Sequence, residues 1–365
     1  MSNFKGSKTW RLVLLLSVFA LVVVACGGGS TADEVVEEAA PETTAAPATT
    51  AAAAEPAAPS GPEGTYKMAI FSEPQTQNYW DFLDGENDVW TSYAMSGQAT
   101  SLFSVSYPNY ALVAGMAADL VESNTDNGDG TFTFVVPMKE GFTWSDGSPI
   151  TANDMVFTYN TVKDLALQSS WVSAYKIPTV DEDGTVGQGV VGIVANSDYE
   201  VAITFNYDPG LSDWQFGVSQ AAFLPESYWA QYATSREALI DAPALEAPVA
   251  SAFVYESVEA GAFVTWAYDP DTMHFGGETT IYDGGTSYVN DNGVAPAVNE
   301  SFGDTTGDSF TYSSGPYVGR VEFTLYGDQD ANIYQVLIRW MRKHQLVGST
   351  VNYADAYLNK FNLNE

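Results

Sequence analysis

Residues 138–162 read MKEGFTWSDGSPITANDMVFTYNTV, and the stretch changes character twice. It opens as the end of an alternating segment, TFTFVVPM (131–138), which sets Phe132, Phe134, Val136 and Met138 on one face in the period-2 pattern of a half-buried strand. After Lys139-Glu140-Gly141 the side chains turn polar. Trp144-Ser145-Asp146-Gly147 makes a turn, and Pro149 fixes the approach to the next segment. Thr151 stands three residues before Asp154, the capping-box spacing in which an N-cap hydroxyl accepts from a free first-turn amide. The spacing predicts a helix beginning near Ala152, carried on by the apolar side chains of DMVFTYNTV.

Working outward, NTDNGDG supplies a turn cluster before 131–138 and predicts a hairpin there. TYKMAIFSE (65–73) reads as an opening strand, and NDVWTSYAMSGQATSLF (87–103) as a helix behind it. YEVAITFNY (199–207) alternates again after the turn Asn196-Ser197-Asp198. Residues 270–315, rich in Gly, Asp, Thr and Asn, read as long loops. The expected class is mixed α/β, dominated by strands. About 300 residues beyond Tyr66 suit two lobes better than one core.

The first 64 residues read differently. Lys5, Lys8 and Arg11 precede an apolar run from Leu12 to Ala25, the length of an export signal and short for a membrane span. Cys26 is the one cysteine of 365 residues, so no disulfide framework and no thiolate metal site is expected. Residues 27–64 are Gly, Ala, Thr, Pro and Glu with few large apolar side chains, a composition that cannot offset the entropy of ordering. They are expected to form a disordered tether spanning roughly 35 Å. Beyond residue 25 the chain carries 10 basic residues against 46 acidic ones, a net charge of −36. Nucleic acid and anionic lipid both need a basic footprint, so neither is an expected charge partner. The acidity fits either a solvated, salt-tolerant surface or a site for cations.

Tests for chemistry mostly fail. GQGVVG (187–192) satisfies G-x-G-x-x-G, but an acidic loop precedes it and β-type alternation comes after, whereas a dinucleotide site needs a strand before and a helix after. NTDNGDGT and TVDEDGTV resemble calcium loops, yet with Gly130 or Gly184 at the sixth position the twelfth is Val136 or Val190. They read as turns. The two histidines, His274 and His344, lie far apart with no H-E-x-x-H or G-x-S-x-G pattern. No cofactor and no metal are expected; a carboxylate-only glycosidase stays open because Asp and Glu are plentiful.

Two stretches carry resemblances to known families. Val23-Val24-Ala25-Cys26 resembles the lipobox of bacterial lipoproteins, with Val24 bulkier than the usual residue. That resemblance implies cleavage before Cys26 and acylation of its sulfur, and several acyl chains hold such a protein where one would bind only marginally. Residues 138–162 resemble the signature of the solute-binding proteins of peptide, dipeptide and nickel ABC importers, solute-binding family 5. The likeness extends through ALVAGMAADLVESNTDNGDGTFTFVV (111–136) and SSGPYVGRVEFTLYGDQDA (313–331), the latter taken as a Gly315-Pro316-Tyr317 strand, a crossing strand and a helix start. It covers about 65–335.

The family resemblance implies a periplasmic-binding-protein-like class II fold: an N-terminal lobe with an extra subdomain, closing with a second lobe over a peptide or similar small polar solute. It implies a monomer, lipid-anchored at the cell surface or on the periplasmic face of the cytoplasmic membrane, that delivers solute to a permease and an ATPase and breaks no bond. In it Trp144, Asp146, Gly147, Pro149, Thr151 and Asp154 have structural roles. Where members continue into a second lobe, this chain reads NIYQVLIRWMRKHQLVGSTVNYADAYLNKFNLNE, with Arg339, Arg342, Lys343 and Lys360 crowded near its end. The second lobe is therefore expected to be truncated, and 336–365 to be an atypical basic tail, helical by composition; a disrupted gene and a genuine short variant both account for it. Tyr79, Trp80 and Trp90, after the first strand, and Trp214 and Phe216, in DPGLSDWQFG, are the candidate ligand contacts, each weighed against ordinary core packing. A receptor remnant without a competent cleft and a secreted carbohydrate-active enzyme are the other readings.

Overall fold

The computed structural model describes residues 61–327 apart from 86–87, 96, 107–109, 273–275, 292, 294–295 and 314. The expected signal, Cys26, the tether to residue 60, the basic tail and both histidines lie outside the described residues. The chain enters on β1 (Thr65–Ile70), followed by short helices α1 (Tyr79–Asp84) and α2 (Val89–Ala94). Strands β2 (Phe103–Val105), β3 (Leu112–Ala114), β4 (Thr125–Asp126) and β5 (Phe132–Pro137) lead to helices α3 (Ala152–Asp164) and α4 (Ser169–Ala174). Next come β6 (Val190–Ser197), β7 (Glu200–Phe205), α5 (Glu226–Trp229) and α6 (Arg236–Ile240). Strands β8 (Phe253–Glu259), β9 (Phe263–Tyr268), β10 (Glu278–Asn290), β11 (Val298–Ser313) and β12 (Arg320–Leu325) complete it.

Two four-stranded sheets organise these elements. The first has the order β1-β12-β9-β8, with β1 and β12 parallel although Ile70 and its partner Leu325 lie at opposite ends of the described chain. A small core of Ile70, Ala94, Val249, Val264, Trp266 and Phe323 belongs to this sheet. The second, β4-β5-β7-β6, is antiparallel throughout. On it lies α3, whose Ala152, Met155, Tyr159 and Val162 recur at helical spacing and are buried, the apolar stripe that turns an amphipathic helix toward a core. Phe134, Val136, Ile203 and Phe205 meet them from the strands in the larger core. Two cores in one chain are what a lobe with an added subdomain requires, and the mixed α/β class is the expected one.

The hairpin into 132–137 forms as its turn cluster predicts, pairing Thr125 with Thr133, and the helix at 152–164 starts at the expected residue. The strand Val190–Ser197 comes after GQGVVG where a nucleotide site would need a helix. Three expectations are corrected. Residues 87–103 supply only the six-residue helix α2 before Phe103 joins β2. The stretch 270–315 is not loop but holds the two longest strands, 13 and 16 residues, paired as one antiparallel ribbon. Asp283, Gly284 and Gly285, with Gly303 and Asp304 opposite, sit at a register shift between Tyr282 and Gly284, where they interrupt the pairing without ending the ribbon. Gly315-Pro316-Tyr317 is not strand; it is an irregular connection with a cis Pro316 and an exposed Tyr317, and pairing begins only at Arg320.

Candidate functional site

The signature residues form the joint between the two cores. The amide of the buried Trp144 donates to the Ser148 carbonyl at 2.8 Å, and Gly147 completes the turn at φ +83°, a conformation that favours glycine. Asp146 Oδ1 accepts from the Ser148 amide at 2.9 Å and its hydroxyl at 2.6 Å. Thr143 and Pro149 bridge across the turn. Ser145 then reaches the smaller core: its amide donates to the Val249 carbonyl and its Oγ accepts from the Val249 amide, both at 3.0 Å. Asp154 closes the joint by accepting from the Thr151 amide at 2.8 Å, the Glu226 amide at 2.9 Å and the Trp144 indole at 3.2 Å. Burial outweighs these donors and pushes its carboxyl up to about 6. These roles are structural.

The first sheet itself builds a concavity. Parallel β1 and β12 end together at Ile70 and Leu325, and the β8–β9 turn closes against them, the Leu325 amide donating to the Ala262 carbonyl at 2.7 Å. The crevice outside the carboxyl ends of parallel strands is where open α/β sheets hold ligands, because the chain leaves there as loops free to carry polar groups. Here a notch of about 210 Å³ has Ile70, Val264 and Leu325 as its apolar floor and Glu73, Gln75 and Gln77 on its wall. Glu73 Oε1 accepts from the Gly261 amide at 2.6 Å, tying the wall to the turn. The Gln75 amide donates to Thr91 Oγ1 at 3.0 Å, and Gln98 Nε2 donates to the Gln77 carbonyl at 3.0 Å. The carboxylates of Glu73 and Glu259 and the two glutamine side chains over an apolar floor can orient a polar solute by hydrogen bonds while its apolar parts leave water.

The five aromatics expected as ligand contacts do not converge. Trp80 is fully buried among Trp171, Phe157 and Trp229, with ring centroids 4.9 to 6.1 Å away. Trp214 is buried, stacked on Phe134 at 3.8 Å with its indole donating to the Val121 carbonyl at 2.6 Å. Tyr79 packs against Phe82 and Trp171, and desolvation pushes its hydroxyl up to about 12. Phe216 stands exposed by itself, away from its neighbour Trp214 in the core. Trp90, half-buried, meets Phe71 edge-on at 5.0 Å beside the smaller core. The notch takes instead the residues between β1 and Tyr79. Glu73, Gln75 and Gln77 were legible only through the parallel pairing of β1 with β12, 255 residues apart in Lys67 and Glu322, which no local pattern announces.

Among the described residues no group of three His, Cys, Asp or Glu is placed to hold a metal, and no helix is long and apolar enough to cross a membrane. The Asp-rich turns use their carboxylates locally: Asp129 accepts from Thr131, and Asp183 from the Thr185 amide at 2.9 Å.

Residues 115–335 match the family model described as bacterial extracellular solute-binding proteins, family 5 Middle. Among solved structures, the chain is similar to the oligopeptide-binding protein AppA of Bacillus subtilis, solved with a nonapeptide, at 16% identity over 76% of this chain and 43% of that chain, TM-score 0.49. It is similar to the ABC transporter substrate binding protein CtaP of Listeria monocytogenes at 17% identity over 76% and 43%, TM-score 0.47. A periplasmic oligopeptide-binding protein of Thermotoga maritima with bound mannohexaose matches at 14% identity over 75% and 40%, TM-score 0.48. The chain thus spans less than half the length of these structures. Comparison with curated protein sequences finds no match.

Proposed function

The chain belongs to the bacterial extracellular solute-binding proteins of family 5, and from that premise we propose that it is the receptor of an ABC importer, capturing a peptide or similar small polar solute for a permease and its ATPase. The observation that carries this reading is the family match over 115–335, which includes the whole Trp144–Asp154 joint. The notch walled by Glu73, Gln75 and Gln77 is the solute-facing surface of this lobe. In a two-lobed receptor the solute favours closure only through binding the closed form better than the open one, so the polar wall supplies orientation and no bond is broken. The receptor acts as a monomer outside the cytoplasmic membrane, held there by acyl chains on Cys26.

Thermal unfolding of the full chain with tripeptide, pentapeptide and oligosaccharide mixtures tests the reading, since a ligand that binds only the native state raises the midpoint. A shift that Glu73→Ala reduces supports it. A folded chain that no mixture shifts marks a receptor remnant instead, and release of reducing sugar from the glycans points to a carbohydrate-active enzyme. Labelled palmitate that enters the native chain and not the Cys26→Ser variant tests the anchor.

A further inference from the structure

The β10–β11 ribbon roofs a second cavity, of about 440 Å³, remote in sequence from the notch wall. The ribbon reaches it with both of its arms. On one side of the register shift Thr279 pairs with Tyr312; on the other Thr286 pairs with Phe302 and Tyr288 with Glu300, and all six line the same cavity. Between the pairs Tyr282–Ser309 and Gly284–Asp304 a single residue of β10 stands against four of β11, and across this irregularity the cavity-lining positions of β10 change from Thr279 to Thr286 and Tyr288. Close backbone contact there calls for glycine: a Cβ on Gly285 would lie 2.4 Å from the Phe302 carbonyl oxygen, and Gly303 sits at φ +70°.

An ion pair joins the floor to the ribbon, with Lys139 on the floor and Glu300 on β11. Lys139, from the end of the 131–138 strand segment, donates to the carbonyls of Gly115 at 2.8 Å and Ala114 at 3.4 Å and to Glu300 at 3.0 Å. All three ammonium hydrogens are thereby used. The Glu300 carboxylate has capacity left, since Lys139 is its one hydrogen-bonding partner among the described residues and a carboxylate accepts about four bonds. The site therefore has an acceptor to offer and no spare lysine donor. Lys139 and Glu300 form a one-to-one ion pair, so the acceptor capacity left at the site is that of the Glu300 oxygens. Tyr288, Phe302 and Tyr312 line the space, and aromatic rings attract cations.

We propose that this ribbon-roofed cavity is a second binding site, independent of the notch, that takes a small organic ammonium against the Glu300 carboxylate and the rings of Phe302 and Tyr312. The ammonium donates to the lone pairs of Glu300 that Lys139 leaves free, while its alkyl part fills the aromatic wall.

The test is a protein-observed NMR titration of the full chain with n-butylammonium chloride and with 1-butanol, an uncharged counterpart with equal heavy atoms, in about 0.15 M salt to screen the acidic surface. Saturable shifts are expected at Tyr288, Phe302 and Tyr312, with 1-butanol at least about tenfold weaker. Glu300→Gln and Tyr312→Leu are each expected to weaken the ammonium about tenfold or more; the second leaves the ion pair in place if the first loosens the ribbon. Equal affinity for 1-butanol, unchanged affinity in Tyr312→Leu, or shifts that never saturate overturn the proposal.

Discussion

Trp144 and Asp154 meet across the start of α3, the indole Nε1 donating to the carboxylate Oδ2 at 3.2 Å in a buried position. The turn before the helix and the helix itself are thus one bonded unit, and because Ser145 in the same turn exchanges two bonds with Val249, the unit holds the larger core to the smaller one. The 138–162 stretch is informative because it encodes that joint.

The first prediction rests on the Asp154 carboxyl, held at about 6 chiefly by burial. A folded-state value above the unfolded one means stability is fully present below the unfolded value, near 4, and is lost as pH rises through about 6. The loss attributable to this group is about 3 kcal/mol. Asp154→Asn removes the titration, so urea unfolding of the two proteins between pH 4 and 7 is expected to show the wild type losing stability relative to the variant. Parallel curves would refute it. Asp154→Ala is expected to cost more at every pH, about 3 kcal/mol, because the amides of Thr151 and Glu226 and the Trp144 indole all lose an acceptor.

Trp80 and Phe216 test the difference between packing and recognition. Trp80→Ala empties a fully buried site among three other aromatic rings and is expected to destabilise by about 3–5 kcal/mol. Phe216→Ala, at an exposed side chain, is expected to stay within about 0.5 kcal/mol. Denaturant unfolding of both measures the contrast; a large cost for Phe216→Ala would place it in packing that its exposure denies.

The features legible in the sequence were local. The Thr151–Asp154 cap and the Asp-rich turns make bonds within a few residues, and the alternation through Phe134 and Val136 is written in the strand itself whatever its partner, so pattern sufficed. The features that escaped it depend on distant pairing. The ribbon was hidden because its β-forming residues, such as Thr279, Ile281 and Tyr288, are interrupted by Gly284 and Gly285, and glycines that end one strand are indistinguishable in sequence from glycines that bend one. The notch was hidden for the same reason at larger scale: Glu73 is a loop residue like any other until β12 returns beside β1. Trp80 shows the converse. Its position after the first strand suggested a cleft, and its bulk decided for the core.

The ribbon irregularity supplies a third prediction. Gly285→Ala sets a methyl against the Phe302 carbonyl oxygen, backbone on backbone, with no flexible side chain to yield. It is expected to destabilise the ribbon, by about 1–3 kcal/mol, and to raise hydrogen exchange across 278–313 while leaving the α3 sheet protected. Gly192→Ala, where a Cβ meets nothing within 4 Å, is the control and is expected to be near neutral. Equal exchange in both variants would mean the ribbon accommodates the methyl.

Lys139 and Glu300 fasten the ribbon to the body, and their removal is expected to be strongly non-additive. Burial lowers the lysine and raises the glutamate from their ordinary values, each partner opposing that drift in the other, so neither charge is well solvated without its mate. Lys139→Met leaves the Glu300 carboxylate facing Asp119 without its cation, at a cost of about 3 kcal/mol. In that variant the glutamate rises further, so the penalty is small where Glu300 is protonated and grows as pH increases through its folded value. Lys139→Met with Glu300→Leu removes both charges and fills the space, and is expected to recover most of the loss, because a buried pair replaced by apolar groups is often neutral. A double-mutant cycle by urea unfolding at pH 5 and pH 8 measures it. Additive costs, or a Lys139→Met penalty that does not change with pH, would show that the two side chains are screened by water and that the ribbon is held by its threonine and aromatic contacts instead.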